Sequence, residues 1–317
     1  MESLGKVTVI CTAFNHEDWI WEALESVAMQ DYHDKELVIV DNGSSDSTAE
    51  RIKDWVSQYS GLFPVKTYFF EDTRPYCQTF NEVFAETNGD YLVDLSGDDV
   101  LYPDHLSLSI AQLSQDPEAA FSFSDAYLLE SSGSITTFYK RNTFGELREK
   151  LHMGTIYETL LRRSIICAAT MVFNAKIFRK ESGYDESLYY EDFDIQIRMA
   201  RKYHVVFSDH FGVLKREHEE SMSANQYQRY FSKMLPSTVK VCEKALELNQ
   251  SQDENKALLE RVLFELKHAL WSANFSAADQ LIQMAERLHG KGLKLKLYKA
   301  WAKFKLDISW LYVSVTS

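Results

Sequence analysis

Three short apolar runs, each cut off by a polar turn and followed by a helical pattern, constrain this chain more than any other feature. Residues 6–12 (KVTVICT), 36–41 (ELVIVD) and 91–95 (YLVDL) have the β-branched, near-continuous apolar character of strands buried on both faces. The first stops at Ala13-Phe14-Asn15-His16, ahead of a helix with Ile20, Leu24 and Val27 on one face. The second stops at residues 42–48 (NGSSDST), a turn able to cap a helix beginning near Thr48. The third stops at Ser96-Gly97-Asp98-Asp99. Residues 65–70 read as a further strand, and residues 79–87 as a helix closed by Asn88-Gly89. Strands and helices alternating at this spacing predict right-handed βαβ units and a mostly parallel sheet, in which ligands sit at the carboxyl ends of the strands. Thr12, Asp41 and Asp98 all stand at such ends.

Farther along, residues 121–129, 167–173 and 205–207 read as strands, residues 175–180 as a short helix, and a helix runs through Ile195, Met199 and Ala200. Residues 143–158 give no clear pattern. From about residue 225 strand patterns cease and amphipathic helices follow, one with Leu258, Leu259, Val262, Leu263, Leu266 and Leu270. The expected organisation is an α/β domain over residues 1–225 and a helical region over 226–317. The 317 residues suffice for such a core. Cys11, Cys77, Cys167 and Cys242 are far apart with no CxxC pair, so they read as reduced core thiols. No apolar run reaches membrane-spanning length and the first six residues lack a signal-peptide pattern, which makes a cytoplasmic location the expectation. A net charge of −13 argues against general nucleic-acid binding.

The adjacent acids Asp98 and Asp99 are costly to hold together at a buried strand end unless something positive binds them, and a divalent cation on phosphate oxygens would serve. Ser-Gly-Asp-Asp is also ordinary turn chemistry, and both readings stand. Glu191-Asp192 opens a helix, where carboxylates are favourable for the helix itself. His218, flanked by Glu217, Glu219 and Glu220, is either a metal ligand or an exposed loop residue.

Taken in order, residues 9–30 (VICTAFNHEDWIWEALESVAMQ), 37–48 with the preceding Glu36 (ELVIVDNGSSDST), the Ser96–Asp99 turn, residues 182–200 (SGYDESLYYEDFDIQIRMA) and residues 214–223 (LKREHEESMS) resemble an inverting glycosyltransferase of family 2. The resemblance covers roughly the first 225 residues. It implies a GT-A fold, a Rossmann-like αβα sandwich that binds a nucleoside-diphosphate sugar, here followed by a C-terminal α-helical region. It further implies that Thr12, Ala13, Phe14 and Asn15 hold the nucleoside, that Asp41 reads the base edge and that Asp98 touches ribose or phosphate. Asp99, with Asp98 and His218, would hold Mn2+ or Mg2+, and Arg216 the diphosphate. Asp192 matches the general base, with Glu191 supporting it. Ser96 stands where many members have a first Asp, leaving two acids rather than three. Asn81 matches the family's asparagine and is expected among the donor-binding residues, but the basic residue that often precedes it is missing, and Arg74 is the nearest substitute.

The end of the chain is different in character. From Arg287 onward one arginine and six lysines face Asp307 alone. Over about 291–313, Leu293, Leu297, Trp301, Phe304, Ile308 and Leu311 fall on one helical face, with Lys296, Lys299 and Lys303 largely opposite. Such a helix either lies in an anionic membrane interface or packs with its lysines solvated. Oligomerisation through the C-terminal helices is a further expectation. The function that follows is metal-dependent transfer of a sugar from a nucleotide donor, UDP-linked by expectation, to a hydroxyl of a glycan or lipid-linked saccharide. The rivals are a non-catalytic nucleotide-sugar-binding or assembly module and a nucleotidyltransferase. The latter needs a Gly-rich basic phosphate loop after the first strand, and residues 12–16 (TAFNH) contain no Gly, Lys or Arg.

Overall fold

The computed structural model describes residues 4–59, 61–151, 153–218 and 221–311. They fall into two compact units. The first takes in the chain to Ile156, Ile166–Glu186 and Arg198–Glu217; the second takes in Tyr157–Ile165, Ser187–Ile197 and the chain from His218. Two stretches that precede residue 225, one of them carrying Glu191 and Asp192, thus belong with the helices that follow it.

The first unit is built on a nine-stranded sheet. Its strands are β1 (Val7–Ala13), β2 (Lys35–Asp41), β3 (Val65–Phe69), β4 (Tyr91–Ser96), β5 (Val100–Leu101), β6 (Ala119–Glu130), β7 (Ile135–Thr137), β8 (Val172–Asn174) and β9 (His204–Glu217). They lie in the order β3-β2-β1-β4-β8-β6-β9-β5, with β7 paired to β6. The long ladders, β1 with β2 and β4, β2 with β3, and β6 with β9, are parallel. The antiparallel ladders are two or three residue pairs long. The mostly parallel α/β sheet expected from the strand–helix alternation is what forms.

Helices α1 (Ile20–Ala28), α2 (Thr48–Tyr59), α3 (Tyr76–Ala85) and α4 (His105–Ser114) cross between these strands. α1 and α2 turn their apolar stripes to the sheet: Ile20, Ala23, Leu24 and Val27 from α1 and Ile52 and Trp55 from α2 pack with Val7, Val9, Cys11, Leu37 and Ile39 in one core. Burial at about 25 cal/mol per Å2 of apolar surface is what holds these layers together. All four cysteines are buried and free, as expected, and burial raises the Cys167 thiol to about 12.

Two local expectations are corrected. Residues 167–173 do not form one strand: Ala168–Thr170 is a 3-10 turn, stabilised by the Thr170 hydroxyl donating to the carbonyls of Cys167 (2.8 Å) and Ser124 (3.1 Å), and only Val172–Asn174 pairs. The short strand over 205–207 is instead the beginning of the long β9, whose ladder with β6 runs to Glu217 through register shifts that let it bend.

The second unit consists of α5 (Tyr157–Arg162), the first half of α7 (Asp192–Lys202, which follows the short α6, Ala175–Lys180, of the first unit), and α8 (Leu235–Leu248), α9 (Gln252–Trp271), α10 (Phe275–Arg287) and α11 (Leu293–Phe304). A capping box, with Ser251 and Glu254 each satisfying the other's backbone N–H, starts α9. Of the six apolar residues read from the sequence as its face, Leu258, Val262, Leu266 and Leu270 are buried, while Leu259 and Leu263 are half-buried at its edge. The tail departs from expectation. α11 stops at Phe304, where Lys305 takes a left-handed conformation, so Ile308 and Leu311 do not continue its face. Residues 312–313 of the expected tail lie outside the described residues.

Between α4 and β9 the His105 and His210 rings meet, Nδ1 to Nε2 at 3.1 Å, with His105 fully buried. Burial and then the neighbouring His210 lower His105 from 6.5 to about 3, and burial lowers His210 despite Asp104 and Asp209 nearby. A depressed histidine favours the neutral folded state, so this stability is complete above about pH 6.5 and is lost as pH falls towards 3. His105 alone is expected to remove about 2 kcal/mol between pH 7.5 and 5. Urea unfolding at pH 7.5 and 5 is expected to show this loss in the wild type and a smaller one in His105→Asn; equal losses would contradict it.

Candidate functional site

The register of β1 with its two neighbours decides where the polar turns sit. Ala13 pairs with Asp41 and Thr12 with Ser96, so the three strands end at one level. The Asn42 N–H donates to the Ala13 carbonyl (2.9 Å) and the Gly97 N–H to the Thr12 carbonyl (2.8 Å), extending the ladders into the turns.

Side chains then lace the turns together. Asn15, at φ 55°, donates its N–H to Ser44 Oγ (2.9 Å) and accepts from the Ser45 N–H on Oδ1 (2.8 Å). The positive φ is one that asparagine tolerates better than most residues. His16 N–H donates to Thr48 Oγ1 (2.8 Å), Glu17 N–H to Asp46 Oδ2 (3.1 Å), and Ser47 N–H back to Glu17 Oε2 (2.9 Å). Burial would raise the Asp46 carboxyl, but hydrogen bonds from Thr48 and from the Glu17 backbone outweigh it and hold Asp46 below its usual range. The Asn42 amide closes on the next turn, accepting from the Arg74 N–H (3.1 Å) and donating to the Arg74 carbonyl (2.9 Å). Arg74, stacked over Phe70, is ion-paired to Glu82 (2.6 Å).

Asp41 is buried and accepts from the Ser44 hydroxyl. Burial raises its carboxyl, an effect partly offset by Ser44. Phe14, by contrast, projects from the rim at 44% exposure, an apolar ring beside backbone polar groups.

The acid turn closes the arrangement. Asp98 and Asp99 are buried, and the Arg216 N–H on β9 donates to Asp99 Oδ1 (3.0 Å). The Arg216 guanidinium donates to the Asp98 carbonyl and pairs with Glu22 of α1. Burial, and then Asp98 beside it, raise the Asp99 carboxyl well above the ordinary range; Lys215 and Arg216 pull the other way. Two buried acids repelling each other form a donor set suited to a hard cation. Among the described residues no group of three or more His, Cys, Asp and Glu is placed to hold a metal ion.

The first unit therefore gathers Thr12, Ala13, Phe14, Asn15, Asp41, Asp98, Asp99 and Arg216 around one rim. Asn81 lies on α3, where its amide is engaged at both ends with Tyr184, donating to the carbonyl (2.8 Å) and accepting from the N–H (3.0 Å). Glu191, Asp192 and His218 belong to the second unit. There the Glu191 carbonyl accepts the first bond of α7 from the Ile195 N–H (3.0 Å), and Asp192 Oδ1 accepts from the Phe193 N–H (2.6 Å). Both acids are half-buried. The His218 N–H donates to Ser221 Oγ (3.2 Å); Glu219 and Glu220 lie outside the described residues.

The sequence reading did not single out Glu22, Tyr76 or Tyr184. The last two donate their hydroxyls to the half-buried Asp94 at 2.6 and 2.7 Å and so tie two turns to β4. A lone acid in an otherwise apolar strand was the available signal for that network.

The glycosyl transferase family 2 model matches residues 8–180. An uncharacterized glycosyltransferase of Rickettsia typhi is 24% identical over 228 residues, 71% of this chain and 69% of that one. Protein CgeD of Bacillus subtilis is 29% identical over 168 residues, 51% of this chain but only 39% of its own length. Among solved structures, S. aureus TarS 1–349 in complex with UDP-GlcNAc superposes with a TM-score of 0.69 at 17% identity, covering 95% of this chain and 89% of that one. The mannosyltransferase PcManGT from Pyrobaculum calidifontis, in complex with GDP-Man and Mn2+, gives 0.61 at 17% identity, covering 95% and 84%. Both show that the fold is that of GT-A glycosyltransferases.

One glycine tests the packing of this rim. Gly43 sits at φ +77°, and a Cβ there would lie 2.5 Å from the backbone of Asp72 and Thr73. Gly61, at φ +105°, has nothing within 4 Å. Gly43→Ala is expected to cost about 3 kcal/mol or more against about 1 kcal/mol for Gly61→Ala, read from urea midpoints. Equal costs would show that the turns do not pack as described.

Proposed function

With the chain established as a member of glycosyl transferase family 2, and so as a glycosyltransferase, we propose that it moves a sugar from a nucleoside diphosphate to an acceptor hydroxyl with inversion at the anomeric carbon. The observation that carries this reading is the convergence of the turns after β1, β2 and β4 on one laced rim at the carboxyl ends of parallel strands. In this reading Thr12, Ala13, Phe14 and Asn15 hold the nucleoside, and Asp41 accepts from the N–H of a uracil base. Asp98 meets the ribose or phosphate, and Asn81 acts through the turn it holds. Arg216 fixes the acid turn and faces the diphosphate.

The acceptor oxygen attacks the anomeric carbon as the bond from that carbon to the diphosphate oxygen breaks. Asp192 takes the hydroxyl proton and Glu191 supports it; the nucleoside diphosphate leaves with the bonding pair. Asp99 and Asp98 would hold Mn2+ or Mg2+, which when bound neutralises charge on the departing diphosphate. The acceptor in this reading is a glycan or lipid-linked saccharide of the cell surface.

The tail supports a peripheral seat on an anionic membrane at the cytoplasmic face. No helix among the described residues is long and apolar enough to cross one. On α11 it is Leu295 and Ala302 that face inward, whereas Leu293 and Phe304 are 73% and 69% exposed, with Leu306 and Trp310 exposed beyond them. Lysines flank this apolar surface, a combination suited to an anionic lipid interface.

Asp192→Asn is expected to lower transfer at least about a hundredfold while leaving donor affinity within about twofold, measured by nucleotide release and by titration calorimetry. Normal transfer would remove the assignment. Wild type is expected to co-sediment with phosphatidylglycerol-containing vesicles and not with pure phosphatidylcholine, and Leu297→Glu/Phe304→Glu to stay in solution. Wild type remaining in solution, or a self-associating species lost in the variant, would replace the membrane by a protein contact.

A further inference from the structure

The two acids at the start of α7 are set in a segment gripped from both sides by the helices of the second unit. The Tyr189 N–H donates to Ser237 Oγ (2.8 Å), and the Tyr190 hydroxyl shares a hydrogen bond with Thr238 Oγ1 (2.7 Å). Two turns along the same helix, α8, Lys244 Nζ pairs with Asp194 Oδ1 at 2.7 Å, and Asp194 is only 1% exposed. Phe193 lies under the guanidinium of Arg261, 4.6 Å from its ring centre. Arg261 is itself buried, paired with Glu265 (3.3 Å) and donating to the carbonyls of Leu160 and Leu161. Residues 189, 190, 193 and 194 are thus each fixed, and Glu191 and Asp192 lie between them.

Apolar packing alone would hold a helix start loosely in register, because hydrophobic burial has no direction. A buried carboxylate is different: its desolvation is offset only where the partner cation stands at hydrogen-bonding distance. Asp194 and Lys244 therefore admit one placement of the first turn of α7, and Arg261 over Phe193 fixes its rotation. A general base needs such support, since a displacement of about 1 Å can cost on the order of a hundredfold in rate.

We propose that the C-terminal helices are part of the catalytic apparatus, with Lys244, through its ion pair with Asp194, and Arg261, through Phe193, acting as positioning residues for Asp192. This rests on Asp192 being the base, so Asp192→Asn is measured alongside. In the full chain, Lys244→Met is expected to lower kcat at least about tenfold with donor KM changed less than about twofold, and Lys244→Arg to restore most of the loss. Lys244→Met also leaves Asp194 buried without this cation and will destabilise the fold. The double variant Asp194→Asn/Lys244→Met removes both charges. It is expected to regain the urea midpoint while kcat stays low. Recovery of kcat together with the midpoint would show that the pair serves stability alone and would overturn the proposal. An unchanged kcat in Lys244→Met, in an enzyme that Asp192→Asn inactivates, would overturn it directly. An active Asp192→Asn would remove the premise, and the proposal with it.

Discussion

Strand β1 stands between β2 and β4 in a register that ends all three at one level, and the rest of the rim depends on that pairing. Because the strands are parallel, their carboxyl ends share one side of the sheet, and every turn leaving them carries backbone groups that must be paired. Here short polar side chains do most of that pairing. Asn15, Asn42, Ser44, Asp46 and Thr48 accept from or donate to the backbone of a neighbouring turn. The turns are thereby held as one surface, rigid enough to orient a ligand and yet made of loops.

Electrostatics sets the second condition. The acid turn brings Asp98 and Asp99 out of water beside each other, and burial and mutual repulsion raise the Asp99 carboxyl. Arg216 offsets part of this through its backbone N–H and guanidinium, while its other arm pairs with Glu22. The charge left over is what a cation bound to a diphosphate would relieve. Ser96 adds no charge to this turn, where a third acid would add to the repulsion.

Much of this was legible in the sequence because parallel strands buried on both faces leave an unmistakable apolar signature, as in residues 6–12 and 36–41. The helix of residues 175–180 was readable too, with Asn174 as its N-cap. What was not readable depends on distant partners. The 3-10 turn at Ala168–Thr170 exists because Thr170 bonds to Ser124, 46 residues away. The bend of β9 comes from register shifts against β6. The assignment of residues 187–197 to the helical unit turns on contacts with α8 and α9, which no local pattern announces. The end of α11 at Phe304 was missed because the apolar spacing continues past it while the backbone does not.

If the rim of the first unit is a nucleotide site, titration calorimetry of the full chain with UDP in the presence of Mn2+ is expected to show saturable one-to-one binding. That binding is expected to weaken at least about tenfold, or about 1.4 kcal/mol, in Asp41→Ala. No binding of UDP, or the same affinity in wild type and Asp41→Ala, would contradict that reading.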